Sequence, residues 1–130
     1  MSLDYEELTM IYQALINDSS VVALVSTAIY NAMLVPETET STDTINFYIE
    51  GNFSGGEEVF NKSVSINCRS LAEDTSKQIA TAVFNALNRE HKTYNSKLYF
   101  SIVTVLPTIP PIDSSDSYNT PLSIQIRRRG

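Results

Sequence analysis

Cysteine and histidine each occur once in these 130 residues, and tryptophan does not occur. A single thiol, Cys68, excludes an internal disulfide framework and any multi-cysteine metal site within one chain. Basic residues are also scarce. Nine Lys and Arg stand against 15 Asp and Glu, a net charge of −6, which argues against a general binder of nucleic acid, whose surface must neutralise phosphates. No apolar run approaches the ~20 residues of a membrane span, and "MSLDYEELTM" carries neither a basic start nor an apolar core, so no export signal or membrane partner is expected. Glycine appears four times, three of them within "GNFSGGEE".

What remains is 42% hydrophobic and 18% charged, the composition of an ordinary globular domain. Its length suits a single domain, 1–130, with a core large enough to fold without staples. Leu8, Ile11, Tyr12, Leu15 and Ile16 recur at helical spacing, and Asp4 with Glu7 resembles a capping box. "NDSS" breaks that helix, and "SVVALVST" forms a second, capped by Ser19 or Ser20. Helices thus occupy 4–27, with the sheet and a long helix in 29–128. "AIYNAMLVP" leads out as an extended segment. "TINFYIE" places Ile45, Phe47 and Ile49 on one face of a strand. "VFNKSVSINCRS" alternates Phe60, Lys62, Val64, Ile66 and Cys68, and the glycine-rich turn between the two predicts a hairpin.

The clearest element is "SLAEDTSKQIATAVFNALNRE". Ser70 and Glu73 form an S-x-x-E capping box, and Ile79, Ala80, Val83, Phe84 and Leu87 make one apolar stripe. Arg89, His91 and Lys92 are expected to complement the helix C-terminus. "KLYFSIVTVLP" reads as a strand, "TIPPIDSSDS" as a stiff, proline-rich loop, and "NTPLSIQIRRR" as a closing strand alternating Leu122, Ile124 and Ile126. The order predicts an α+β fold: one antiparallel or mixed sheet, a long helix packed across one face, and short N-terminal helices.

Reactive constellations are hard to find. His91 reads as a surface residue, and no serine sits in a G-x-S-x-G elbow. Cys68 reads as a buried, inert thiol. "GNFSGGEE" lacks the Gly-Lys-Ser/Thr of a phosphate loop, and Glu57 and Glu58 would repel phosphate. Asp113 and Asp116 lack calcium-loop spacing. No enzyme activity, cofactor or metal is expected. Arg127, Arg128 and Arg129 supply a third of the basic charge. They read as a solvated strand end, as partners for acids on another subunit, or as contacts to nucleic acid. The candidate acids lie on polar loops: Glu37, Glu39 and Asp43 in one, Glu57 and Glu58 in another. Pro110 and Pro111 stiffen a third loop suited to docking.

A helix followed by "L-I-N-D-S-S-V-V-A-L-V-S-T-A-I-Y" resembles the opening of tail terminator (tail completion) proteins of long-tailed bacteriophages. The matching residues are Leu15, Asp18, Val22, Leu24, Val25, Ile29 and Tyr30. The family pattern continues as strand, hairpin, long helix and closing strands, here Thr44–Glu50, Val59–Arg69, Ala72–Glu90, Lys97–Pro107 and Pro121–Arg128. The loop "TIPPIDSSDSYN" has no counterpart in it. The resemblance implies a non-enzymatic virion protein at the head–tail junction, assembled in the host cytoplasm. It implies a homo-oligomeric ring, usually a hexamer, that caps the tail tube, halts its polymerisation and meets a head-completion protein. DNA would pass through its lumen without specific binding. Another neck component, such as a head-closure or adaptor protein, fits the same pattern; a nucleic-acid module using Arg127–Arg129 and a small enzyme using Asp or Glu residues are the readings of a different class.

Overall fold

The computed structural model describes residues 4–54, 59–94, 97–112 and 116–129. Among them are helices α1 (Asp4–Ile16), α2 (Ser19–Val25) and α3 (Glu73–Leu87). The strands are β1 (Ile29–Asn31), β2 (Thr44–Ser54), β3 (Val59–Ser70), β4 (Glu90–Tyr94), β5 (Lys97–Val105) and β6 (Tyr118–Arg129). The strands form one sheet in the order β1-β2-β3-β6-β5-β4; β1 runs parallel to β2 and every other pair is antiparallel. The fold is α+β with a single mixed sheet.

Alternation decides which face of the sheet is covered. Ile45 and Phe47 of β2, Val64, Ile66 and Cys68 of β3, Leu122, Ile124 and Ile126 of β6 and Val103 of β5 are buried. Their sequence neighbours Ser63, Ser65, Ser123 and Gln125 are half-buried or exposed. The helices fill the first face: α3 brings Ile79, Ala80, Val83 and Leu87, and α1 and α2 bring Leu8, Ile11, Leu15, Val21 and Val25. Phe84 sits at the rim, half-buried. Among the described residues no single helix is long and apolar enough to cross a membrane; α1 and α2 together pass that test of length and composition but are bent by 81°, with their apolar residues in this core.

Helix starts differ from the expected ones for a geometric reason. Asp18, not a serine, caps α2, its carboxylate accepting from the backbone N–H of Ser20 at 3.0 Å and Val21 at 3.1 Å. Helix α3 has Ala72 at its N-cap with no side-chain cap bond. Ser70 falls two residues too early; its hydroxyl donates to Asp43 and accepts from the N–H of Ala72. The start of α1, where Asp4 and Glu7 are expected to form a capping box, borders residues outside the described ones, but the surroundings of Glu7 are clear in one respect. Glu7 is 1% exposed and forms a 3.5 Å ion pair with Lys62, the one charged residue on the covered face of β3.

The end of α3 also departs from expectation. The helix stops at Leu87, Arg89 adopts φ 57°, and residues 90–94 form an edge strand, so His91 and Lys92 belong to β4 rather than to a helix terminus. Strand β2 runs on through Gly51 to Ser54, a bulge between Ile49 and Gly51 absorbing the extra residue. Pro121 lies inside a central strand, which costs a ladder donor. Its missing N–H falls where β5 leaves the sheet: Leu106 N–H donates to the Pro121 carbonyl, and pairing resumes only at Ile109–Asn119.

Two substitutions test this packing. Ile79→Ala, at a fully buried site, is expected to cost ~2–5 kcal/mol, and Phe84→Ala at the rim distinctly less; urea unfolding of both ranks them, and the reverse order would misplace the α3 stripe. Lys62→Met alone removes the ion-pair partner of the buried Glu7 and is expected to lose ~3–5 kcal/mol, whereas Lys62→Met with Glu7→Leu regains most of that stability. Equal midpoints for the single and double variants would contradict the buried pair.

Candidate assembly surfaces

The two ends of the sheet differ chemically. At one end lie the start of β2, the end of β3 and the start of β6, in the row Thr44–Arg69–Asn119–Ile109. At the other lie the end of β6 and the start of β5, where Arg127 occupies the row Asn61–Arg127–Phe100–His91. Arg127 is exposed on the face of the sheet opposite the helices, since Ile126 beside it is buried. Arg129 sits opposite Val59 and Leu98. Eight residues of β3 separate the Asn61 and Arg69 rows, roughly 25 Å of strand.

Of the candidate acids, Glu37, Glu39 and Asp43 fall at the far end from the arginines, before Thr44. Glu39 accepts a hydrogen bond from the Tyr30 hydroxyl and another from the Ser41 N–H at 2.9 Å. Asp43 accepts from the Ser70 hydroxyl at 2.6 Å. Glu37 is exposed. Within that loop, therefore, two of the three carboxylates already have partners inside the chain. Glu57 and Glu58 lie outside the described residues, as does Asp113. Asp116 accepts from the N–H groups of Ile112 and Ser117.

Pro110 is exposed and Pro111 half-buried, and their apolar neighbours stand out. Val105, Leu106, Ile109 and Ile112 are 45%, 41%, 52% and 91% exposed. Leu71, just beyond β3, is 61% exposed, and Met33 and Leu34 after β1 are 67% and 78% exposed. Val105, Leu106, Ile109 and Leu71 belong to the end of the sheet away from the arginines. Reading "TIPPIDSSDS" as a stiff, proline-rich loop did not single out these apolar side chains; the available signal was isoleucine interleaved with proline in "TIPPI". The loop is pinned through hydroxyls, Thr108 to Thr120 at 2.9 Å and Thr120 to Ser76 at 2.8 Å, with Ser76 donating to the Cys68 carbonyl at 2.7 Å.

Chemical groups elsewhere are committed to structure. Cys68 is fully buried, and desolvation pushes its thiol well above the ordinary range. The His91 ring lies 4.5 Å from that of Phe100, tilted by 34°. Among the described residues no group of three or more His, Cys, Asp or Glu is placed to hold a metal ion. A shallow groove of about 500 Å³ between α1, α3 and β4 is lined by Gln13, Asn17, Asn85 and Glu90 together with the capping Asp18.

The sequence matches no protein-family profile and no curated protein. Solved structures do share the fold. One chain, from the virion of a native gene transfer agent particle, is 20% identical, with each chain covered over 100% of its length and a TM-score of 0.76. Another is 8% identical over 96% of both chains, with a TM-score of 0.64.

The Tyr30–Glu39 contact has a pH signature. The tyrosine hydroxyl, then the Ser41 N–H, hold the Glu39 carboxyl below its usual range, while Glu39 raises the Tyr30 phenol. Stability from Glu39 is present above the ordinary carboxylate pKa and is lost as pH falls through its depressed value. That from Tyr30 is present below about pH 10 and is lost as pH rises through its elevated value. In Tyr30→Phe the Glu39 carboxyl should titrate at higher pH by NMR; unchanged titration would remove the hydroxyl as the cause.

Proposed function

We propose that this protein is a structural virion subunit of phage type, a tail terminator that forms a ring, most simply a hexamer, on the finished tail tube. The observation that carries this reading is the full-length likeness to a chain of a gene transfer agent virion, with a TM-score of 0.76. The opening pattern Leu15, Asp18, Val22, Leu24, Val25, Ile29, Tyr30 agrees with it. The surface supports it too. A ring whose subunits share one orientation has two unlike faces, and each subunit here has two unlike ends: Leu106 and Ile109 exposed at one, Arg127 at the other. Side-by-side heterologous contacts close into a ring when the rotation between copies closes, and such a ring leaves these unlike ends on its two faces. The role is non-enzymatic, no cofactor takes part, and the site of action is the head–tail junction of the particle.

The distribution of charge gives the arginines a direction. Arg127 lies at the opposite end of the sheet from Glu37, Glu39 and Asp43, so side-by-side contact does not bring those together. Stacking does. In this reading the arginine end meets an acidic surface on the next ring along the tail axis, and the apolar end meets the opposite neighbour.

The test mixes purified protein with its tail tube protein and follows tube length by electron microscopy. Rings that cap tubes and stop their growth are expected. Rings that form without touching tubes would move the protein to another neck position, and failure to form rings under any condition would remove the reading. Replacing Arg127 and Arg129 with Ser should leave the melting temperature of the monomer unchanged while weakening ring stacking in sedimentation, with raised salt having the same effect. Equal stacking at every salt concentration would leave the arginines as a solvated strand end.

A further inference from the structure

Strand β1 covers only the first part of β2, Ile45, Asn46 and Phe47. Among the described residues no strand lies beside the remainder, Tyr48–Ser54, or beside the outer edge of β4. Open edges are templates for another strand, and proteins that stay monomeric cover or shorten them. Two properties of these edges relate them to each other.

The first is height. Asn52 lies in one continuous cross-strand row with Lys62, Ile126, Ser101 and Glu90. Ser54 lies in the next but one, with Phe60, Arg128, Tyr99 and Lys92. The open part of β2 beyond its bulge and the edge strand β4 therefore stand at the same level of the sheet, on opposite margins. They also run in the same direction, since each antiparallel step from β2 through β3, β6 and β5 to β4 reverses the chain.

The second is backbone polarity. Ile45 N–H points outward from β3, donating to the Ala28 carbonyl. Its partner Cys68, and with it Lys62, therefore turn their N–H groups away from β2. Lys62 faces Asn52, so the N–H groups of Asn52 and Ser54 point outward from the sheet. On the other margin, Leu106 N–H points at β6, donating to Pro121. Ser101 and Tyr99 consequently turn toward β4, their partners Glu90 and Lys92 turn back toward β5, and His91 and Thr93 face outward.

From this we propose that the edge of β4 in one copy pairs in parallel with residues 52–54 of β2 in the next, joining subunits through a continuous sheet. The occupant of each open edge is a second copy of this chain. Matching height means that successive copies add by rotation with little rise, the condition for a closed ring rather than a filament. The bulge at Ile49–Gly51 breaks the regular edge and sets where pairing begins. The inference deepens the ring reading above and rests on it.

Amide hydrogen exchange tests it directly. In the monomer the N–H groups of Asn52, Ser54, His91 and Thr93 exchange rapidly; in the assembled ring they should slow by at least ~10-fold. Asn52→Pro and Thr93→Pro each delete one outward donor and no ladder bond, a change that edge strands tolerate. Both are expected to keep the circular dichroism of the parent and to sediment as monomers where the parent forms rings, while Asn52→Ala and Thr93→Ala assemble normally. Proline variants that assemble like the parent, or amides that exchange equally fast in monomer and ring, overturn the pairing but leave the ring in place. A parent that never assembles, alone or with tubes, removes the ring reading and this inference together. Should a proline variant lose its fold, exchange in the unsubstituted protein decides.

Discussion

Strands β3 and β6 pair at twelve successive positions, from Val59–Arg129 to Ser70–Tyr118, and the rest of the molecule is attached to that ladder. Its covered face carries Val64 opposite Ile124, Ile66 opposite Leu122 and Cys68 opposite Thr120. Because side chains alternate, a slip of one residue would turn that whole apolar set toward solvent. Helix α3 crosses here, its buried Ile79 and Val83 closing the core from above. β2 and β5 extend the same register outward on either side.

Polar groups in the core hold that register at its two ends. Toward the apolar end, Ser76 of α3 bonds to the Cys68 carbonyl and to Thr120, which reaches Thr108. That chain of hydroxyls ties the helix, both central strands and the proline-rich connection to one alignment. Toward the arginine end, Lys62 and Glu7 join β3 to α1. An apolar pair there would pack as well or better, since desolvating two charges is expensive. What the ion pair adds is a penalty for any arrangement that separates them.

Periodic features were legible in the sequence because they depend on one chain and one environment. The α3 stripe and the alternation of Leu122, Ile124 and Ile126 are of this type, as is the burial of Cys68. Cap positions were not, because a cap is defined by which N–H groups the helix leaves open, and Ser70 sits two residues short of that place. Strand β4 escaped notice because "EHKTY" has no apolar alternation; it is a strand only because β5 lies beside it. The partner of Lys62 could not be read locally, being on another element. The same holds for the surfaces. Glu39 and Asp43 read as available from sequence, but Tyr30 and Ser70 bond to them, and in the stiff, proline-rich loop the exposure of Ile109 and Ile112 could not be read from one segment alone.

The burial of Cys68 makes the protein its own stability probe. Its thiol is reached only when the β3–β6 ladder and α3 separate, so a thiol reagent reacts at the rate of that opening. With no second cysteine in the chain, every modified molecule records one such event. The modification rate then reports the opening free energy of the centre of the sheet when reclosing is fast, and the opening rate itself when it is slow. Applied across denaturant or temperature, the same measurement reads how firmly the middle of the sheet is held.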